Sequence, residues 1–150
     1  MAEFNCRVFG VVLNDENKIL LVKRNPGYMA DDPNYHKGYT PDNPNYTHIG
    51  WELIGGGLEH GEDPKDGVIR EHMEEIGIVV EPVKIYQART GVRNEKPLLN
   101  IGYICKYVSG DVTLTTEHTD FMWVTHEELK AVDFGPNKNI DVALFLDSVS

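Results

Sequence analysis

The tract that most constrains this chain runs from Gly55 to Ile78, GGGLEHGEDPKDGVIREHMEEIGI. Its first three residues carry no Cβ, so the backbone there can pass close to another group. Gly61 permits a further turn. Asp63 suits a helix N-cap, Pro64 the first helical position and Gly77 the C-terminal stop. A helix is therefore expected between Asp63 and Gly77. At about 3.6 residues per turn, Glu71, Glu74 and Glu75 fall within about a 100° arc, with Ile69, Met73 and Ile76 opposite. Like charges one turn apart destabilise a helix by roughly 0.2–0.5 kcal/mol, so this cluster calls for a compensating partner. A hard cation such as magnesium, which prefers oxygen ligands, is one. Arg70, next to Glu71 and one turn before Glu74, is another, because its guanidinium can fork onto carboxylates. Gly67 in the middle of the helix costs about 1 kcal/mol against alanine and points to close packing there. His72 falls at the border of the apolar and acidic faces and reads as a partly buried histidine bonded to backbone.

The rest of the chain supplies a core for that helix. With 150 residues, 41% of them hydrophobic, it suits one domain. Phe4 to Leu13 and Lys18 to Arg24 read as a strand hairpin around the turn NDEN. Trp51 to Ile54 reads as a short strand leading into the glycines. Ile78 to Arg89, Leu98 to Val108 and Phe121 to Val124 also read as strands. THEE, Thr125 to Glu128, is a capping box opening a short helix. A last helix is expected from about Asn137 to Asp147, with Ile140, Ala143, Leu144 and Val142 inward. Strands interleaved with helices suggest a sheet covered on its faces. Between them, residues 25–50 hold four prolines and four tyrosines with no period, and read as a long loop with two Asx-Pro turns, DDPNY and DNPNY.

The formal net charge of −10 disfavours a grip on polymeric nucleic acid through its phosphates. It is compatible with cations that recruit a phosphate ligand. No apolar run is long enough to span a bilayer and MAEFNCRVFG lacks a signal-peptide pattern, so a cytoplasmic location is expected, with Cys6 and Cys105 as reduced thiols. A homodimer is compatible with the sequence. His36, His48, His60, His118 and His126 show no metal-ligand spacing and read as surface or loop residues.

Gly56, five residues, Glu62, seven residues, then Arg70-Glu71-His72-Met73-Glu74-Glu75-Ile76-Gly77-Ile78 resembles the Nudix box, with every glycine, glutamate and arginine of the pattern in place. The hairpin, Trp51 and the late WVTHEEL segment are also similar to the family. Ile54 departs from it, standing where a proline is common. The resemblance implies an α/β/α sandwich around a mixed sheet, with residues 1–150 forming a single Nudix hydrolase domain that carries a long loop at about 25–50. It implies hydrolysis of a nucleoside diphosphate linked to another group, with Mg2+ or Mn2+. Carried over to this chain, Glu71 and Glu75 resemble the principal metal ligands. Glu74 resembles a further ligand or a contact through bound water, and the carbonyl of Gly55 a backbone ligand. Arg70 and Glu62 look like the ion pair holding loop to helix. Glu117 resembles a loop glutamate used as ligand or base, and either Glu71 or Glu117 is left as the proton acceptor. A nucleoside triphosphate giving monophosphate and pyrophosphate is the expected substrate, with nucleotide sugars and dinucleoside polyphosphates as alternatives. Tyr28, Tyr35, Tyr39 and Tyr46 could stack on the base or pack the loop, with Tyr28, Tyr35 and Tyr46 chosen as substrate contacts. A non-catalytic nucleotide sensor is the rival from another class. Such relatives usually lack a box glutamate, and this chain lacks none.

Overall fold

The computed structural model describes residues 4–25, 50–93, 95–135 and 138–150. The long-loop expectations, with Tyr28, Tyr35, Tyr39, Tyr46, His36 and His48, lie outside the described residues. The chain forms β1 (Asn5–Leu13), β2 (Ile19–Arg24), β3 (Trp51–Glu52), β4 (Ile54–Gly57), α1 (Pro64–Ile76), β5 (Val79–Arg93), β6 (Lys96–Ser109), β7 (His118–Val124), α2 (His126–Leu129) and α3 (Val142–Val149). The seven strands of the described residues join one mixed sheet. Its main order is β3-β2-β1-β6-β5, with β4 paired to β1 and β7 to β2. The β1–β6 pair is parallel and the rest are antiparallel.

The expected β1–β2 hairpin is present, turned by Asn14, whose Oδ1 accepts from the amides of Glu16 (3.0 Å) and Lys18 (2.9 Å). The two strands share a single registered pair, Leu13 opposite Ile19. They diverge because the N-terminal half of β1 pairs with β4 instead, Phe9 opposite Gly55 and Val8 opposite Gly56. This pairing draws the glycine tract onto the sheet. Between β3 and β4, Leu53 is clasped by Asn139, whose side chain accepts from the Leu53 amide (3.0 Å) and donates to its carbonyl (3.1 Å).

Strand alternation divides the core into two layers. Val8, Val12, Leu20, Val22, Tyr103 and Cys105 point to one side, where Val68 and Ile76 of α1 close over them. Phe9, Val11, Ile19, Leu21 and Ile104 point to the other, where Leu129 of α2 and Phe145 of α3 meet them. The result is the expected α/β/α sandwich. Among the described residues, no helix is long and apolar enough to cross a membrane, and both cysteines are free thiols.

Two helical expectations need correction. The last helix starts at Val142, because the Asp141 side chain caps it by accepting from the Leu144 amide (3.0 Å). That later start sets its phase. Phe145 is buried, with Val142, Leu146 and Val149 packed around it, whereas Ala143 and Leu144 are exposed. Ile140 is buried as expected, from the loop before the helix. In α1, Met73 is 48% exposed and Ile69 also faces water, so only Ile76 of that apolar trio is buried. The face that meets the sheet is Gly67, Val68, Glu71, His72 and Ile76.

Candidate active site

α1 begins and ends where its capping residues direct. Asp63 accepts from the Lys65 amide (2.9 Å), and Gly77, at φ 70°, donates its amide to the Met73 carbonyl (3.1 Å). A left-handed φ of this kind is strained for residues with a Cβ. Between these caps the glutamates separate. Glu71 is only 8% exposed and Glu75 is half-buried, while Glu74 lies toward solvent. The helix therefore buries two of its carboxylates against the protein.

Arg70 ties the glycine tract to the helix. Its Nε and Nη2 donate to the two oxygens of Glu62 at 2.8 and 2.9 Å, a two-pronged pairing. Nη1 donates to Glu71 and to Glu74, each at 3.0 Å, and Nη2 also donates to the Gly57 carbonyl at 3.1 Å. Arg70 and the Glu59 amide hold Glu62 below the usual carboxylate range. The Glu62 bond, followed by the charge of Glu71, raises the guanidinium's own affinity for its proton against the pull of burial. The Glu71 carboxylate lies directly against the backbone of Gly56: a Cβ there would come within 2.7 Å of Oε1. At Gly67 a Cβ would come within 2.3 Å of Leu58 Cδ2, the close packing expected from the sequence.

Among the described residues, Glu75 is the most perturbed carboxylate. Burial pushes its pKa up. The neighbouring Glu117, and the charges of Glu71 and Glu52, push it further. Its Oε2 is buried without a hydrogen-bond partner. Glu71 is also raised, by burial first and by Glu74 and Glu117, with Arg70 opposing. Five carboxylates thus act on one another, three of them carried by the helix and two by β3 and the turn before β7. Among the described residues, no three His, Cys, Asp or Glu side chains form, as they stand, a group that could hold a metal ion. Glu71 and Glu74 are instead turned onto Arg70. The donor set nonetheless fits a hard divalent cation: all oxygen, mutually repelling, and with one buried oxygen unpaired.

Three histidines depart in burial from their sequence reading, though the backbone bond expected of His72 is present. His118 is 4% exposed and not a surface residue. A register irregularity between Lys23 and Arg24 brings it opposite Arg24, and its Nε2 donates to Glu52 Oε1 at 2.9 Å. The same oxygen accepts from Arg24 Nε at 3.1 Å. Burial works to raise Glu52, but the His118 hydrogen bond and the Arg24 charge prevail and lower it. His72 is fully buried, not at a border. Its Nδ1 donates to the Val68 carbonyl at 2.7 Å, and its ring packs against Gly10. Burial holds its pKa down at about 4. His60 is exposed, as read, whereas His126 is half-buried and tilts on the Phe145 ring. Glu52 was missed in the sequence. Its one signal is an acid in a short apolar strand, at the position that alternation turns toward α1.

A family model for the NUDIX domain matches residues 5–142. The chain is 31% identical over 94 residues to a nucleoside triphosphatase NudI from Enterobacter sp. (strain 638), covering 55% of this chain and 67% of that protein. It is 31% identical over 124 residues to a MutT-like protein from Streptomyces ambofaciens, covering 81% of this chain and 64% of that one. The matches thus span about two-thirds of the length of these relatives. Among solved structures, a MutT protein from Methanosarcina mazei Go1 superposes with a TM-score of 0.68 at 26% identity, over 97% of this chain and 90% of that one.

Proposed function

The chain belongs to the Nudix hydrolase family, and we propose that it cleaves a nucleoside triphosphate to monophosphate and pyrophosphate with magnesium or manganese. The observation that carries this reading is the meeting of Glu71, Glu75 and Glu117 beside the glycine tract, with one buried Glu75 oxygen unpaired. Glu71 and Glu75, with Glu74 turning from Arg70 and the carbonyl of Gly55 nearby, would hold the cation. When bound, it neutralises the diphosphate and stabilises charge on the leaving oxygen.

The remaining work falls to this chain's own groups. Arg70 holds Glu62 and the Gly57 carbonyl, keeping loop and helix in register. Glu117 acts on the Glu75 carboxylate; we assign it to the same site, as a further oxygen toward the cation and as acceptor of the proton of the attacking water. We assign nucleoside contact to Tyr28, Tyr35 and Tyr46. Replacing residues 31–45 by a short glycine-serine turn should then raise KM or broaden substrate choice. The name of the NudI relative, a nucleoside triphosphatase, supports a triphosphate over a nucleotide sugar. We read the chain as one domain working in the cytoplasm.

The test is a panel of ribo- and deoxyribonucleoside triphosphates, nucleotide sugars and dinucleoside polyphosphates, each incubated with the protein and Mg2+. Pyrophosphate and monophosphate should appear from a triphosphate. Turnover of only the other classes would move the substrate assignment to them. No turnover of any would favour the sensor.

A further inference from the structure

The segment carrying Glu117 is held more firmly than a turn between two elements requires. Asn25, just past β2, donates its amide to the Glu117 carbonyl (2.7 Å) and its side chain to the Thr116 carbonyl (2.9 Å). The next residue, His118, is anchored through Nε2 to Glu52. Glu52 is in turn held by Arg24 and lies opposite Val22 in the β2–β3 ladder. Three consecutive residues are thus tied to β2 and β3. Of the three, Glu117 carries the carboxylate that acts on Glu75 of the helix.

We propose that His118 is the positioning residue of this site: its bond to Glu52 fixes the start of β7 so that Glu117 is held against Glu75 on the cation-binding face. The inference rests on the hydrolase reading only for what the site does, not for the anchoring itself. A core position alone does not account for His118. Burying an imidazole on a carboxylate, beside further carboxylates, commonly stabilises no better than a well-packed apolar pair. An apolar side chain would fill the volume, but it would leave Glu52 paired with Arg24 alone and Glu117 without its neighbouring anchor.

The experiment compares the full chain with His118→Leu, His118→Gln, Glu117→Gln and the His118→Leu/Glu117→Gln double variant. Mn2+ binding is followed by the resonance of free Mn2+, and turnover by pyrophosphate release with Mg2+ and the best triphosphate of the panel. By analogy with residues that support metal ligands, His118→Leu should weaken Mn2+ binding roughly 10-fold or more and lower kcat by a similar factor, with KM unchanged. His118→Gln, whose amide can donate to Glu52, should restore both. In the Glu117→Gln background, His118→Leu should remove nothing further, because the two act as one unit. If the leucine variant does not fold, His118→Asn, too short to reach Glu52, takes its place with the same expected losses. Unchanged Mn2+ affinity and kcat, or full additivity with Glu117→Gln, would overturn the proposal. A wild-type protein that binds Mn2+ but cleaves none of the panel would defeat the hydrolase reading alone. The Mn2+ affinities would then still decide the role of His118.

Discussion

Val11 and Val12 are neighbours in β1 and both are buried, yet they serve opposite sides of the sheet. On the Val11 side, α2 and α3 close over Phe9, Leu21, Leu53 and Tyr86, and the Tyr86 and Phe145 rings meet edge to face at 5.9 Å. On the Val12 side, α1 closes over an apolar layer of similar make-up, but it also brings Glu71 and His72 inside, and β7 brings His118. The two sides divide the labour. The first side stabilises chiefly by apolar burial, at roughly 25 cal/mol per Å² of apolar surface. The second spends part of that stabilisation on holding like charges together, a state that a cation relieves.

The largest break in the comparison should come from Glu75→Gln. It should cut turnover by more than the roughly 10–100-fold that losing a supporting residue costs, measured by steady-state kinetics. Without metal the variant should melt no lower than wild type, because a buried, repelling carboxylate has been neutralised. Mg2+ should raise the Tm of wild type and not of the variant, as scanning calorimetry would show. Near-normal turnover in a folded variant would remove Glu75 from the site.

On the other side, Phe145→Ala should cost about 3–5 kcal/mol, read from urea unfolding, while the kcat of the folded fraction stays at the wild-type value. A kcat loss larger than the unfolded fraction explains would show that the two sides are not independent.

His72 sharpens the contrast through pH. Its pKa in the fold is about 4, below the 6.5 of an ordinary imidazole. Between these values the unfolded chain binds the extra proton. The contribution is therefore fully present above pH 6.5 and is lost as pH falls through the window toward 4, by about 3 kcal/mol in all. His72→Leu should flatten that slope in denaturant titrations from pH 7 to pH 4 and retain turnover. A large loss of turnover would place the imidazole in catalysis.

The smallest effect is expected at the α2 cap. Thr125 Oγ1 accepts from the Glu128 amide (3.1 Å), and Glu128 returns a bond to the Thr125 amide (3.2 Å). Thr125→Ala should lower stability by about 1 kcal/mol with no change in kcat or KM. A larger loss would mean that α2 holds more of the Leu129 packing than its length suggests.

Much of this was legible in the chain itself. The caps of α1, the box at THEE, the strand alternation and the joint spacing of Gly56, Glu62, Arg70, Glu71 and Glu75 are local signals, each read over a few residues. They are legible because capping bonds, β alternation and helical phase depend on neighbours in sequence. Other features joined residues far apart, and no local pattern announces them. His118 meets Glu52 across 66 positions, and Asn139 clasps Leu53 across 86. The turning of Glu71 and Glu75 inward, with Ile69 and Met73 left outside, likewise followed from how α1 docks on the sheet. The sequence determined the elements, the carboxylate helix and the glycine tract beside it. Only the tertiary structure decided which face of the helix is buried and which distant side chains reach it. That choice is set by strand pairing and by apolar burial summed over the whole sheet, and a window of local residues carries neither.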